Sequence, residues 1–396
     1  MPRRPGRAVG VVVLLFAVNG VVNAVFMPFA PAVLVGRGLS ATWLGLVAGA
    51  VSLLYIGVAG LWGHLADVVL GRGRALALAL GLSAALLVVF AMPLPVAAIA
   101  LVYLGFASVY GLLFPLQDAL AVNALADPER QYGPLRALQS ASFAVATVGA
   151  GAAYEVVGYG AAVPVFVALS IPAVLIAFVT PDVARARLAA AGRGGAVREA
   201  LTVQPRLRPA LLALGLANIG VYAAFTFLPL LIVRLGGASG TIGLAIGLTA
   251  AVEVVAMPVV SRLLTALGLR AVVAGSCAVL AIVFVWLSVA PTADHVIAAS
   301  VVYGFGWSGM WVGGVATIRA LLPPTLQGSG QSLLSLSTAG AAALIANAGG
   351  GLLWAGPGPV MVFGIAALCA VAAAIVSWFS LPHPGAAVAG ASPSAA

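Results

Sequence analysis

ATWLGLVAGAVSLLYIGVAGLWGHLADVVLGRGRALALALGLSAALLVVF, residues 41–90, holds two apolar runs of membrane-crossing length. They are joined by a short elbow, GHLADVVLGRGR (63–74), which carries the only charges in the stretch. About 20 residues cross the hydrocarbon core as a helix, so a span with its connection takes roughly 30. The same alternation extends in both directions. Apolar runs fall at 8–35, 41–63, 74–92, 95–122, 134–157, 160–180, 209–233, 240–263, 270–290, 294–320, 327–352 and 358–380. Twelve such units use up the 396 residues. A segment in lipid must satisfy its own backbone hydrogen bonds, so each run is predicted to be a helix.

Composition agrees. Hydrophobic residues make up 63% of the chain and charged ones 7%, against about 25% charged in soluble domains. Mean hydropathy is +1.19. Eighteen basic residues, all arginine, outnumber nine acidic ones. Nucleic-acid binding is not implied, because no soluble face carries a basic stripe. With the N-terminus inside, sixteen arginines fall in cytoplasmic segments, and only Arg37 and Arg234 fall outside. That bias sets the expected orientation, with both termini cytoplasmic in a cell inner membrane. The first run, flanked by Arg3, Arg4 and Arg7, is too long for a signal-peptide core and is read as retained. Cys277 and Cys369 lie inside apolar runs and are expected to stay unpaired.

The longest polar break, 181–208, carries six arginines and divides the chain near its middle. The expected organisation is a six-helix bundle over 1–180, a basic linker over 181–208, a second bundle over 209–380 and a disordered tail over 381–396. Sliding the chain by half its length brings the halves into register. Pro31 falls on Pro229, Gly38 on Gly236, Gly45 on Gly243, Gly49 on Gly247 and Arg72 on Arg270. With a small slip, Gly149, Gly151 and Gly158 match Gly349, Gly351 and Gly358. Repeats of six spans run parallel, as in carriers whose two bundles rock about a central site.

Twelve spans as six plus six, with a basic central loop, resemble the major facilitator superfamily. That family's signature after span two, G-x-L-A-D-R-x-G-R-R, is matched by Gly63, Leu65, Ala66 and Asp67, and then by Gly71-Arg72 after one extra residue. The arginine after the aspartate is absent. Residues 19–45 and 118–145 resemble the branch of phenylpropionate, nucleoside and lactose-type permeases. The second stretch has Asp118, then Tyr132-Gly133-Pro134-Leu135-Arg136, then Ser142-Phe143. Leu138-Gln139-Ser140 stands where the branch has Trp-Gly-Ser. The resemblance implies an all-helical membrane protein of two parallel six-helix bundles. It further implies a cavity lined by spans one, four, seven and ten.

Buried charge marks where chemistry is expected. Glu253 lies nine residues before Arg262, about 14 Å from the inner end and near the midplane. No arginine of its own half lies at that depth. A carboxyl that is neutral when dry and ionised when wetted can carry a proton, although hydrogen bonding to a neighbouring helix explains it equally. Asp118 is nearer the inner end of span four, with Arg136 its expected partner. That pair reads either as an inner gate or as a static clamp. The signature residues Asp67 and Arg72 join it as inner-gate candidates. Substrate-cavity candidates are Asn19 and Asn23 on span one, Tyr103 and Tyr110 on span four, Asn218 and Tyr222 on span seven, and Tyr303, Trp307 and Trp311 on span ten. Taken alone, an aromatic stripe is more often packing than a binding site; convergence with the paired amides on the other lining spans brings the two readings level.

Amides, hydroxyls and rings without a deep fixed cation suit a neutral, aromatic or weakly basic solute. No P-loop, metal-ligand spacing or G-x-S-x-G elbow is present, so neither cofactor nor enzymatic activity is expected. The expected function is secondary active transport of a small organic solute, as proton symport. Proton-coupled efflux is the alternative, although span five lacks the Gly-Pro signature of drug antiporters. The expected partners are the lipid bilayer, a small-molecule substrate and protons. No nucleic acid is expected, and the protein reads as a monomer.

Overall fold

A computed structural model describes residues 5–125, 127–180 and 194–382. The described chain is almost entirely helical. Nine of its helices are long and apolar enough to cross a membrane. One of these, Ser239–Ser288, has 50 residues. At 1.5 Å per residue that is about 75 Å, more than twice the hydrocarbon thickness. Gly268, at φ 81° and ψ 163°, turns the chain inside it, so it supplies spans eight and nine. Spans one and two add the shorter apolar helices Val9–Ala24 and Ala41–Leu54. Counted this way, the described helices are consistent with the twelve expected crossings.

The spans depart locally from straight helices. Span one runs over Pro5–Ala24, turns at residues 25–29 and resumes as Ala30–Gly36. Span four breaks at Gly111 and Leu112, between Val96–Tyr110 and Leu113–Ala124. Span two ends in a π-helical turn, Leu65–Leu70, and span eleven contains another, Leu336–Ala342. Within the predicted linker, Gly194–Val203 forms a helix and span seven starts at Leu207, two residues earlier than its apolar run suggests. The rest of the linker, 181–193, and the tail from 383 lie outside the described residues.

Span three packs on span six, and span one on spans five and six. Phe26, Phe90, Phe106 and Phe166 lock spans one, three, four and six together edge to face, with centroids 5.4–6.2 Å apart. In the second half, the long helix over spans eight and nine packs on spans ten and twelve, and span seven on span twelve. Cys277 and Cys369 are both free thiols.

The internal repeat has a conformational signature. The six positive-φ glycines of the described chain form three pairs, Gly38 with Gly236, Gly71 with Gly268, and Gly158 with Gly358. Each sits where one span hands over to the next, in backbone that other residues rarely adopt. The Gly71–Gly268 match is one position out of the half-length register and is not visible by simple sliding.

Other repeat-related glycines meet across the halves. A Cβ at Gly45 of span two would lie 2.7 Å from Gly351 Cα of span eleven. A Cβ at Gly243 of span eight would lie 2.6 Å from the Thr147 carbonyl oxygen and 3.0 Å from Gly151 Cα of span five. Both seams lie at the arginine-poor end. Small residues let membrane helices bring their backbones together in this way.

Candidate functional site

Adjacent residues on Leu113–Ala124 point toward different neighbours, since successive side chains are about 100° apart. Gln117 faces span one, where Asn19 Nδ2 donates to its Oε1 at 2.7 Å. Asp118 faces span five and pairs with Arg136 Nη1 at 3.4 Å. Arg136 and Gln139 share one face of span five at i,i+3. Arg136 Nη1 donates to Gln139 Oε1 at 3.0 Å, and Gln139 Nε2 reaches Gln117 Oε1 at 3.5 Å. The Tyr132 hydroxyl lies within reach of the Asp118 carboxylate. A polar chain thus links spans one, four and five. Gln117 and Gln139 are buried, whereas the Asp118 and Arg136 side chains are each 34% exposed inside an apolar bundle. The ion pair is therefore only partly sealed by the helices around it.

The opposite half contributes Glu253 and a row of rings. Trp307 lies within hydrogen-bonding reach of the Glu253 carboxyl. Trp307 also packs against Trp311 at 5.4 Å and Phe225 at 5.6 Å, and Phe225 against Tyr222 at 5.9 Å. Trp311 is half exposed. The sequence reads Glu253 as lacking a cation at its depth, and within its own half it does. The structure brings one from the other half, because Arg136 is the charged group whose field acts on Glu253. Arg136 therefore pairs with Asp118 of its own bundle while its charge also acts on Glu253 of the other.

Several sequence candidates instead meet partners within one bundle. Tyr103 and Tyr110 sit in the ring cluster around Phe106, at 8% and 4% exposure. The Tyr110 hydroxyl donates to Asn23 Oδ1 at 3.3 Å. Asn218 is buried, and its Nδ2 donates to the Leu214 carbonyl at 2.8 Å and to Met310 sulfur at 3.1 Å, tying span seven to span ten. Tyr303 packs on Phe284, and its hydroxyl is buried without a hydrogen-bond partner among the described residues. Arg72 opens span three and has a partner. Asp67 lies in the π turn, and its side chain is outside the described part. The sequence reading missed Gln117 and Gln139; amides facing apolar neighbours were the available signal.

The sequence profile of the MFS_1 like family matches residues 10–365. The chain belongs to the MFS_1 like family. A search of curated proteins finds no match to this MFS_1-like sequence. Among solved structures it is similar to the nucleoside transporter NupG, with a TM-score of 0.76 at 15% identity, covering 94% of this chain and 97% of that one. A mutant of the same transporter gives 0.80, covering 94% and 98%. A D-xylose-proton symporter gives 0.71 at 15% identity, covering 95% and 98%. These likenesses establish the major facilitator fold for the MFS_1-like chain. Among its described residues, no group of three or more His, Cys, Asp or Glu side chains is placed to hold a metal ion.

The ion pair makes a direct prediction for this MFS_1-like protein. Asp118→Asn should impair cycling, because it leaves Arg136 with one carboxylate neighbour fewer in a low-dielectric site. Adding Arg136→Gln should recover part of the loss, because an uncompensated buried charge is worse than none. Initial rates of the two single variants and the double variant give the coupling. A double variant as slow as the product of the singles would show that the pair is not energetically linked.

Proposed function

We propose that the protein carries a neutral, ring-bearing solute with hydrogen-bonding groups across a cell membrane by alternating access, in symport with protons. The observation that carries this reading is the polar chain through spans one, four and five that ends on the Asp118–Arg136 pair, with the charge of Arg136 also acting on Glu253 of the opposite half. Indole rings beside Glu253 offer flat apolar faces, and the amides joined to Arg136 offer donors and acceptors. Such a pocket suits a planar or cyclic solute bearing hydroxyls or amides. Nucleosides are the first candidates, given the likeness in fold to a nucleoside transporter.

The arginine-rich end is taken as cytoplasmic, which makes the described conformation inward-facing. In that state Arg136 holds Asp118, and water entering the open mouth allows Glu253 to release a proton. When the cavity opens the other way, Glu253 takes up a proton together with the solute. The bundles over 1–180 and 209–380 rock as two bodies joined by the linker over 181–208. A monomer in the cell inner membrane, with both termini inside, fits this scheme.

Transport should depend on the proton gradient. Right-side-out and inverted vesicles, with pH clamped, are offered nucleosides, aromatic acids, sugars and dyes. A protonophore should abolish accumulation of the accepted solute. Transport that survives the protonophore and collapses on sodium removal would rule out proton coupling.

A further inference from the structure

Spans nine and twelve part at the arginine-rich end. Ala271, Ala274, Gly275 and Ala278 on one side and Ala374, Ile375, Trp378 and Phe379 on the other line an open groove of about 380 Å³. The Arg270 guanidinium lies 4.1 Å from the centroid of the Trp378 ring that forms the groove's mouth. Its Nε is buried without a hydrogen-bond partner among the described residues. Phe379 is 80% exposed, on the face of the protein that meets lipid.

The other half shows what this place looks like when closed. Counted from the paired turn glycines, Gly71 with Gly268 and Gly158 with Gly358, Gly73 corresponds to Arg270, Ala177 to Ser377 and Thr180 to Ser380. A Cβ at Gly73 would lie 2.9 Å from the Ala177 carbonyl oxygen and 3.0 Å from that of Thr180. Spans three and six are therefore shut against each other, with no room between them. Arg270 stands where the first half has Gly73, and so close a spacing has no room for its side chain, so spans nine and twelve stand apart beside it.

We propose that this groove seats one anionic phospholipid from the leaflet at the arginine-rich end, its phosphate on Arg270 and an acyl chain between spans nine and twelve. The residues suit that occupant. From Ala271 to Ala278 the wall rises about 10 Å into the leaflet, with small apolar side chains throughout. The headgroup end carries a cation, so charge complementarity selects an anionic lipid over a zwitterionic one. A guanidinium stacked on an indole keeps its plane fixed and its edge free, the geometry in which arginine binds phosphate through two N–H groups. Trp378 sits at the interfacial depth where indoles are favoured. No acidic side chain lines the groove to compete for Arg270.

The full chain is reconstituted with phosphatidylglycerol or phosphatidylcholine brominated on the acyl chains. The fluorescence difference between the wild-type protein and Trp378→Phe isolates the Trp378 signal. Quenching of that signal should reach half-maximum at a several-fold lower mole fraction of the anionic lipid. Arg270→Gln should erase the preference while leaving quenching by phosphatidylcholine in place. Gly275, where a Cβ would meet open space, offers a separate handle. Gly275→Leu should fill the groove and lower quenching by both lipids. Equal titration by the two lipids in the wild-type protein overturns the proposal, as does a preference that persists in Arg270→Gln. If excess inorganic phosphate abolishes the preference, the site is a simple anion site and the acyl-chain seat is wrong.

Discussion

Glu253→Gln should bind solute and exchange it across the membrane, yet fail to accumulate it. Glutamine keeps the size and hydrogen-bonding groups of the neutral acid, so Trp307 retains a partner and the pocket keeps its shape. It cannot release a proton. One elementary charge crossing 100 mV is worth about 2.3 kcal/mol, enough to hold roughly a 50-fold concentration ratio. Removing that coupling should flatten energised uptake to equilibration, while counterflow and substrate affinity stay near wild type. The three measurements belong on one preparation. Intact accumulation would reduce Glu253 to a bond between helices. Failed binding would instead place it in direct contact with the solute.

The second large effect is expected at the glycine seams. A valine at Gly45 or Gly243 would place its Cβ against opposing backbone, which has no side chain to move aside. The spans must then separate, and overpacking of this kind costs about 1–3 kcal/mol per site. With both Gly45→Val and Gly243→Val, the sealed conformation should fall by ten-fold or more in population, and uptake with it. Hydrogen exchange at the arginine-poor ends of spans two, five, eight and eleven should quicken. The repeat supplies matched controls. Gly149 and Gly349 have nothing within 4 Å of a Cβ position, so Gly149→Val and Gly349→Val should transport nearly normally. Equal damage from both sets would show that the seams are not what closes this end.

These controls show how much of the protein is legible in its sequence. Hydropathy alone gives the crossings, because lipid demands about 20 apolar residues wherever the chain passes. Gly38 and Gly236 are legible as a pair because a sharp turn between spans needs glycine in each half. The sequence presents Gly149 and Gly151 alike, although the first faces open space and the second touches span eight. Which side of a helix meets the other bundle depends on how both bundles pack. The same limit hides the action of the Arg136 charge on Glu253, since the two residues lie in different halves. Asp118 with Arg136 is readable because neighbouring spans of one bundle hold them. The stripe of Tyr103 and Tyr110 reads as cavity lining, yet its rings pack on Phe106, since periodicity reports a shared face without saying what that face meets.

The two seams have a further consequence for how the carrier responds to its surroundings. Where they close, backbone lies against backbone, as at Gly45 with Gly351 and Gly243 with Gly151. Glycine has no rotamers to freeze, so shutting such a contact costs little side-chain entropy, and opening it returns little. Among the described residues no ion pair bridges the seams, and the charge beside them is the Glu155 carboxylate, which accepts from the Gly240 N–H at 3.2 Å. The arginine-poor door should therefore respond to salt only weakly, through that one helix-terminus contact. At the other end, where the Asp118 and Arg136 side chains are each about one-third exposed, ionic strength should act more strongly on the opening step, so that changing the salt on one side of the membrane alone would tune the cycle from that side.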